Sequence, residues 1–231
     1  MMSAPDRTWR FDPGMRIMLG FAAVFMFAVA AVLFSLPLLV GGSDPSSNAI
    51  IGITGVIMAG FGLFMTFGLI GVVRTQISIK GTSLDATVPQ RHSWLLVPHF
   101  RVIALPLGQI RSVERRQEAF RSFGLINLRD SLSIVTSGGE RIGLFSNTMG
   151  PAAQLPLDEI AGAIASGAGV EVTDAGTVWT KAPGLYGEAS SSWSEQPLDE
   201  TSAMKVRRTA VRTAQIAGTL VLLVVALRAC S

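Results

Sequence analysis

Two long uncharged runs dominate the first third of the chain, at residues 17–40 and 49–73. A helix needs about 20 apolar residues to cross a hydrocarbon core of ~30 Å, so each run predicts a transmembrane helix. The segment between them, "GGSDPSSN" (41–48), consists of turn-forming residues. The pattern therefore predicts a tight transmembrane hairpin over residues 17–73, preceded by a cytoplasmic tail at 1–16.

The period of the pattern changes after Arg74. "RTQISIKG" alternates polar and apolar residues, and "SLDATVP" places Leu84, Ala86 and Val88 on one face. "LSIVTSGGERIGLF" contains two strand patterns around Gly138-Gly139, which is a hairpin turn signal. Strands spaced in this way predict antiparallel β structure.

A helical pattern follows the strands in "LPLDEIAGAIASG". Its apolar residues recur on one helical face: Leu157, Ile160, Ala161 and Ile164. Pro156 suits the start of the helix, and Gly167 its end. The apolar face must be buried, most simply against the sheet, so residues 74–173 are predicted to form one cytoplasmic module that folds when excised.

The next segment, 174–203, mixes Gly, Pro, Ser and acidic residues without a period, which predicts a flexible linker. Trp179, Tyr186 and Trp193 recur within it at a spacing of seven. They are either scattered aromatics in a tether or a docking segment.

A third apolar run ends the chain, within residues 204–231. It is short between Arg212 and Arg228, but both side chains can extend to the interface, so we predict a third transmembrane helix. The alternative is an interfacial helix, which the all-round apolar character of 220–227 disfavours. A stripe of small residues is predicted to pack on the hairpin: Ala210, Ala214 and Gly218. The glycines of run 49–73 either pack closely on the first helix or face lipid.

Basic residues flank the predicted helices on one side. They are Arg7, Arg10, Arg16, Arg74, Lys80, Lys205, Arg207, Arg208 and Arg212, with Arg228 alone beyond the third run. Since Lys and Arg stay on the cytoplasmic side, we predict a bacterial inner-membrane protein with three spans. Its N-terminus and module are cytoplasmic and its C-terminus periplasmic. Trp9 suits the inner interface belt.

Composition agrees with a membrane protein. Of 231 residues 49% are hydrophobic and 15% charged, against about 25% charged in soluble domains. One cysteine excludes an internal disulfide, and two histidines fall short of the three or four ligands of a zinc site. No nucleotide-binding glycine motif is present. We therefore predict no catalytic, metal or cofactor-binding residues.

The stretch "VERRQEAFRSFG" provides one candidate contact site: Arg115, Arg116, Phe120, Arg121 and Phe123. Arginines are attracted to an anionic inner leaflet, and aromatics can enter the interface, so these residues can form a patch facing lipid or a partner. The alternative is a solvated strand face, because Glu114 and Glu118 are interleaved. The module carries too little positive charge to predict nucleic-acid binding.

The segments "IALPLGQIRSVERR" and "SLSIVTSGGERIGLF", followed by the predicted helix, resemble the bacterial PH-like (bPH) domains. The resemblance covers about residues 72–170. It implies a PH-like antiparallel β-barrel or sandwich closed by a C-terminal helix, often placed beside transmembrane helix pairs. It also implies a binding or assembly module, often self-associating, with no catalytic residues to carry over.

The function predicted from these features is a non-enzymatic, membrane-anchored scaffold or assembly module. Its expected partner is an integral membrane protein or a second copy of the chain. The alternative is a sensor of envelope state that contacts anionic lipid. A membrane enzyme is the third possibility, and the predicted spans contain no converging polar residues to favour it.

Overall fold

A computed structural model describes residues 4–40, 45–90, 99–122, 125–147, 154–180 and 196–229. The elements, in chain order, are β1 (Ala4–Arg10), α1 (Pro13–Val40), α2 (Pro45–Arg74), β2 (Gln76–Gly81), β3 (Ser83–Gln90), β4 (His99–Pro106), β5 (Ile110–Ser122), β6 (Leu125–Thr136), β7 (Arg141–Ser146), α3 (Leu157–Ala168), β8 (Val172–Trp179) and α4 (Glu200–Ala229).

The helices α1 and α2 form an antiparallel pair, and each is long and apolar enough to cross a membrane. Their contacts repeat every seven residues. Moving seven residues toward the N-terminus of α1 corresponds to moving seven residues toward the C-terminus of α2, as expected for antiparallel helices. The matched pairs are Phe34 with Gly55, Phe27 with Gly62, and Gly20 with Leu69. A Cβ at Gly55 or Gly62 would lie 3.0 or 3.2 Å from the facing ring. Glycine at these two positions therefore leaves room for the phenylalanine rings, in agreement with the alternative that the glycines of run 49–73 pack closely on the first helix.

Other glycines of α2 face away from these contacts. A Cβ added at Gly52, Gly60 or Gly68 would meet no atom within 4 Å among the described residues. The glycines of α2 thus divide into a set that holds the hairpin together and a set that lies open.

Sheet A contains β1, β2, β3 and β4 in that order, all antiparallel. Its first strand comes from the segment predicted as a tail, residues 1–16. Arg10 lies opposite Gln76, so β1 and β2 are neighbours although the entire membrane hairpin separates them in sequence. Trp9 and Phe11 alternate with exposed Arg10 and are buried in the core. Trp9 is therefore a core residue and not a member of an interface belt.

Sheet B has the order β7-β6-β5-β8. The strands form two four-stranded sheets and not a closed barrel, and β8 runs parallel to β5, so the predicted all-antiparallel arrangement is incomplete. Strand β8 occupies the start of the segment predicted as linker, 174–203, and follows α3. The helix α3 is consequently not the last element of the module.

One core lies between the sheets and is covered by α3. The predicted faces are confirmed: Leu84, Ala86 and Val88 of β3 are buried, as are Ile160 and Ile164 of α3. The turn at Gly138-Gly139 is present between β6 and β7, with φ of 82° at Gly139. The helix α3 ends at Ala168 and not at Gly167 as predicted, because Gly169, with φ of 69°, adopts the left-handed conformation that caps the last turn.

The same core continues into the base of the hairpin. Met15 of α1 and Val72 of α2 belong to the buried cluster that includes Phe11 and Phe145. The rings of Phe11 and Phe145 meet edge to face with centroids 5.6 Å apart. The hairpin is thus joined to the sheets by packing as well as by the chain.

The helix α4 begins at Glu200, earlier than the predicted boundary at 204, and contacts β6. Its buried residues Val206 and Ala210 lie in its first half. Ala210 is thus buried within the half of α4 that contacts β6, and its predicted packing on the hairpin stays a prediction. The side chains of Ala214 and Gly218 lie outside the described part of α4. A third span in 204–231 stays a prediction.

Candidate functional site

The predicted contact site lies on β5, where alternate side chains point to opposite faces of the sheet. Arg115 is opposite Leu132 and forms an ion pair with Asp158 at the start of α3. Arg116 is opposite Ser131 on the other face and is 3% exposed. The two side chains therefore point to opposite faces of the sheet, and the side chain of Arg116 is buried.

Arg116 belongs to a buried ionic cluster centred on Glu118, which is 0% exposed. The Nε and Nη2 of Arg116 donate to Glu118 Oε1 at 3.2 and 3.0 Å, and the Nε of Arg129 donates to Oε2 at 2.6 Å. The hydroxyl of Ser131 also donates to Oε1, at 3.0 Å. These residues are cross-strand neighbours on one face of β5 and β6, and together they satisfy the buried carboxylate.

The remaining members of the predicted site are also separated. Phe120 shares the face of Glu118, and the guanidinium of Arg129 lies 5.9 Å from its ring centroid. Arg121 is on the opposite face, with its guanidinium 5.6 Å from the ring of Trp179. Phe123 lies outside the described residues. The interleaved glutamates pair with arginines, as the solvated-face alternative assumed, but Glu118 does so in the interior.

A polar cleft of about 270 Å³ opens where α4 meets sheet B. Its lining residues are Arg115, Arg116, Gln117, Asp130, Asp174, Gly176 and Arg207. Arg207 of α4 donates to Gln117 Oε1 at 2.7 Å, and Gln117 in turn donates to Asp130 at 3.4 Å. The backbone N–H of Leu198 donates to the carbonyl of Thr177 at 2.7 Å. These bonds fasten the start of α4 to the module.

A second group of residues lies where sheet A meets the membrane hairpin. Arg10 Nε donates to Gln76 Oε1 at 2.9 Å across the β1–β2 pair, at the end of the pair next to α1 and α2. The guanidinium of Arg74, the last residue of α2, lies 5.6 Å from the ring centroid of Phe100 on β4. We refer to these residues as the sheet–hairpin junction.

Sequence reasoning missed this junction. Polar and apolar residues alternate at Thr8, Trp9, Arg10 and Phe11, which indicates a short strand. Because this segment directly precedes a predicted transmembrane helix, it is interpreted from sequence as the flank of that helix. Its partner strand is 66 residues away. The pairing therefore could not be found from a local window.

No cluster of three or more His, Cys, Asp or Glu side chains with the spacing of a metal site occurs within the described residues. Of the two histidines, His99 begins β4 and is exposed, while His92 lies outside the described ranges.

Comparisons with protein-family models, with curated proteins and with solved structures gave no match. The resemblance to bPH domains accordingly stays a prediction drawn from the order of the elements.

Proposed function

We propose that this chain is a non-enzymatic scaffold of the bacterial inner membrane that binds another integral membrane protein or a second copy of itself. The observation that carries the proposal is the pairing of β1 with β2 across the transmembrane hairpin. This pairing makes the hairpin an insertion within a β-sheet, so the sheet and the helices move together.

The packing at the junction supports the same conclusion. Met15 of α1 and Val72 of α2 are buried in the core of the sheets, and Leu19 packs against it. A module attached in this way is held at a fixed orientation under the bilayer. Confinement to that layer raises its effective concentration toward other membrane proteins.

The outer side of α2 supplies the surface for a partner within the membrane. Gly60 is open, and its neighbours Ile57 and Phe61 are 50% and 51% exposed. Small residues beside large ones allow a second helix to approach closely in lipid. Lipid also covers such a surface, so an experiment must distinguish the two.

The decisive experiment places a photoreactive amino acid at Phe61, and separately at Phe21, which is 72% exposed on α1. Cells are irradiated, and adducts are separated by mass and identified. The scaffold proposal expects a discrete protein adduct from Phe61 in native membranes. A control in cells that express the Gly60→Leu variant should lose that adduct. Recovery of lipid adducts alone from both positions would exclude the scaffold.

The topology proposed with this function is a cytoplasmic N-terminus and module, three spans and a periplasmic C-terminus. It is supported by the distribution of Lys and Arg. The β1–β2 pair adds that both ends of the hairpin lie on the same side. Fusions of a cytoplasm-active and a periplasm-active reporter to Ser231 test the third span. Activity of the cytoplasmic reporter would mean that α4 does not cross the membrane and that Ser231 lies on the same side as the module.

A sensor that contacts lipid is the second candidate. The predicted patch gives it little support, because Arg116 is buried and Arg115 is paired with Asp158. The observation that favours it lies elsewhere, in the stacking of Arg74 on Phe100 at the membrane-facing end of sheet A.

A further inference from the structure

Four residues form one row across sheet A, because each is the register partner of the next. They are Arg10, Gln76, Thr87 and Val102. Just beyond this row β1 and β2 become the membrane helices α1 and α2. The other two strands continue, through Val88–Gln90 in β3 and through 99–101 in β4, and remain paired to their ends.

The continuation of β3 and β4 passes beside the end of α2. Phe100 lies two positions beyond the row, and Arg74 lies two positions before Gln76 on α2. The guanidinium of Arg74 lies 5.6 Å from the ring centroid of Phe100, so this part of β4 lies close to the end of α2. Contacts between α2 and β3 agree with this arrangement. At about 3.3 Å per residue, three residues carry the strands about 10 Å past the row.

We propose that this end of the β3–β4 ribbon lies in the headgroup layer of the bilayer and contacts lipid there. The proposal rests on the membrane insertion of α1 and α2, since these helices define where the bilayer begins. The ribbon end extends beside the last residue of α2, where the helix leaves the hydrocarbon core. Residues 91–98, which join the two strands, lie outside the described residues and are not part of the proposed site.

The chemistry of the ribbon end fits a headgroup layer. Arg74 and Arg101 are exposed cations, although Arg101 also forms a surface ion pair with Glu140 at 3.3 Å. Phe100 is half-buried, and Val102 is 76% exposed, an unusual exposure for a large apolar residue. Cations near lipid phosphates with apolar groups directed toward the acyl chains are typical of membrane interfaces.

Lipid is preferred over a protein partner because contact with it follows from the fold alone. The hairpin fixes the ribbon end at the bilayer in every inserted copy of the chain. A protein partner would require a second molecule at the same place, for which sheet A offers no separate indication among its described residues.

The proposal can be tested by depth-dependent fluorescence quenching in the full chain. Cys230 is replaced by Ser, and single cysteines are introduced as His99→Cys, Val102→Cys and Ala104→Cys, all exposed positions on β4. Each is labelled with a nitrobenzoxadiazole fluorophore in vesicles of phosphatidylcholine and phosphatidylglycerol. Lipids that carry a nitroxide on the headgroup serve as the quencher. We expect quenching at residues 99 and 102 to be several-fold stronger than at residue 104, which lies farther from the bilayer.

A fourth variant, Ile53→Cys, separates this inference from the proposed membrane insertion. Ile53 is 62% exposed on α2, and a probe there should be quenched by lipids with a nitroxide on the acyl chain. If Ile53 responds but positions 99 and 104 are quenched equally, the ribbon contact is wrong and the insertion stands. If the probe at Ile53 is not quenched, the insertion itself is wrong. Iodide serves as a quencher dissolved in the water phase. If the fluorophore at position 99 is shielded from iodide but is not quenched by any nitroxide lipid, the position contacts protein and the proposal is overturned.

Discussion

The indole Nε1 of Trp9 donates a hydrogen bond of 3.0 Å to Oε1 of Glu159, although the two residues are 150 positions apart. Trp9 belongs to the strand before the hairpin, and Glu159 to the helix that covers the core. The bond connects the first and one of the last elements of the module. The residues before the membrane helices are therefore structural members of the domain that follows those helices.

Replacing Trp9 should measure how much β1 contributes to the free energy of unfolding. Trp9→Phe removes the hydrogen bond and should lower the free energy of unfolding by about 1 kcal/mol. Trp9→Ala also removes a buried ring and should lower it by about 3–5 kcal/mol. Arg7→Ala, an exposed position on the same strand, is the control and should change it by less than about 0.5 kcal/mol. Denaturant unfolding of the purified full chain in detergent provides the measurement.

The buried carboxylate of Glu118 should matter far more than an exposed one. Glu118→Ala leaves two arginines in the interior without this carboxylate and should destabilise the fold by about 3–5 kcal/mol. The matched change, Glu140→Ala, breaks the exposed pair with Arg101 and should cost about 0–1 kcal/mol. Thermal unfolding of both variants under identical conditions tests the contrast. Equal losses would show that the Glu118 cluster is not a structural centre.

Two glycines on α2 should respond differently to the same enlargement. Gly62→Leu introduces a side chain where Phe27 lies 3.2 Å from the position of a Cβ, so the helices must separate. Gly60→Leu enters open space and should leave the hairpin packed while blocking a partner helix. Disulfide crosslinking between cysteines placed on α1 and α2 reports hairpin packing. Blue-native electrophoresis of mild-detergent extracts reports association.

A loss of hairpin crosslinking in Gly60→Leu would contradict this division. If the Gly60→Leu variant associates to the same extent as the wild type, this face of α2 is not the contact surface. Gly52→Leu and Gly55→Leu form a second matched pair about two helical turns away and should repeat the pattern.

The excised fragment 74–173 should not fold stably, contrary to the expectation from sequence. It lacks β1, which supplies Trp9 to the core and covers the edge of β2, and nearly all of β8. A chain in which residues 4–11 are joined to 75–180 by a short Gly-Ser linker should regain cooperative unfolding. Thermal unfolding of both fragments, followed by circular dichroism, shows which of them unfolds cooperatively. A cooperative transition in 74–173 alone would mean that the first and last strands are dispensable.

Local patterns were sufficient where the partners of a residue lie close in sequence. The buried faces of β3 and α3 followed from periods of two and of about four residues, and the apolar runs located α1 and α2. Strand β8 was missed because Asp174 and Gly176 are typical of loops, and its pairing with β5 is parallel and distant. In the structure Asp174 accepts from the N–H of Gly176 at 2.8 Å, a turn within the strand that interrupts its register.

The separation of Arg115 from Arg116 was already implied by the sequence. Arg115 and Arg116 are adjacent on a strand, so a period of two separates them onto opposite faces. Burial of Arg116 with Glu118 and Arg129 was not accessible from sequence, since Arg129 belongs to another strand and only the register brings it opposite Glu118.

The pairing of β1 with β2 also determines when the domain can form during synthesis. Strand β1 is translated first, but its partner emerges 66 residues later, roughly 3–13 s at ordinary rates of elongation. In the proposed topology, both helices enter the bilayer during that interval, and both ends of the hairpin remain on one side. If the second helix did not return across the membrane, Trp9 and the strands that follow α2 would lie on opposite sides and could not pair. Because β1 pairs only with a strand that follows α2, sheet A can be completed only after the whole hairpin has been synthesised and both of its ends lie on one side.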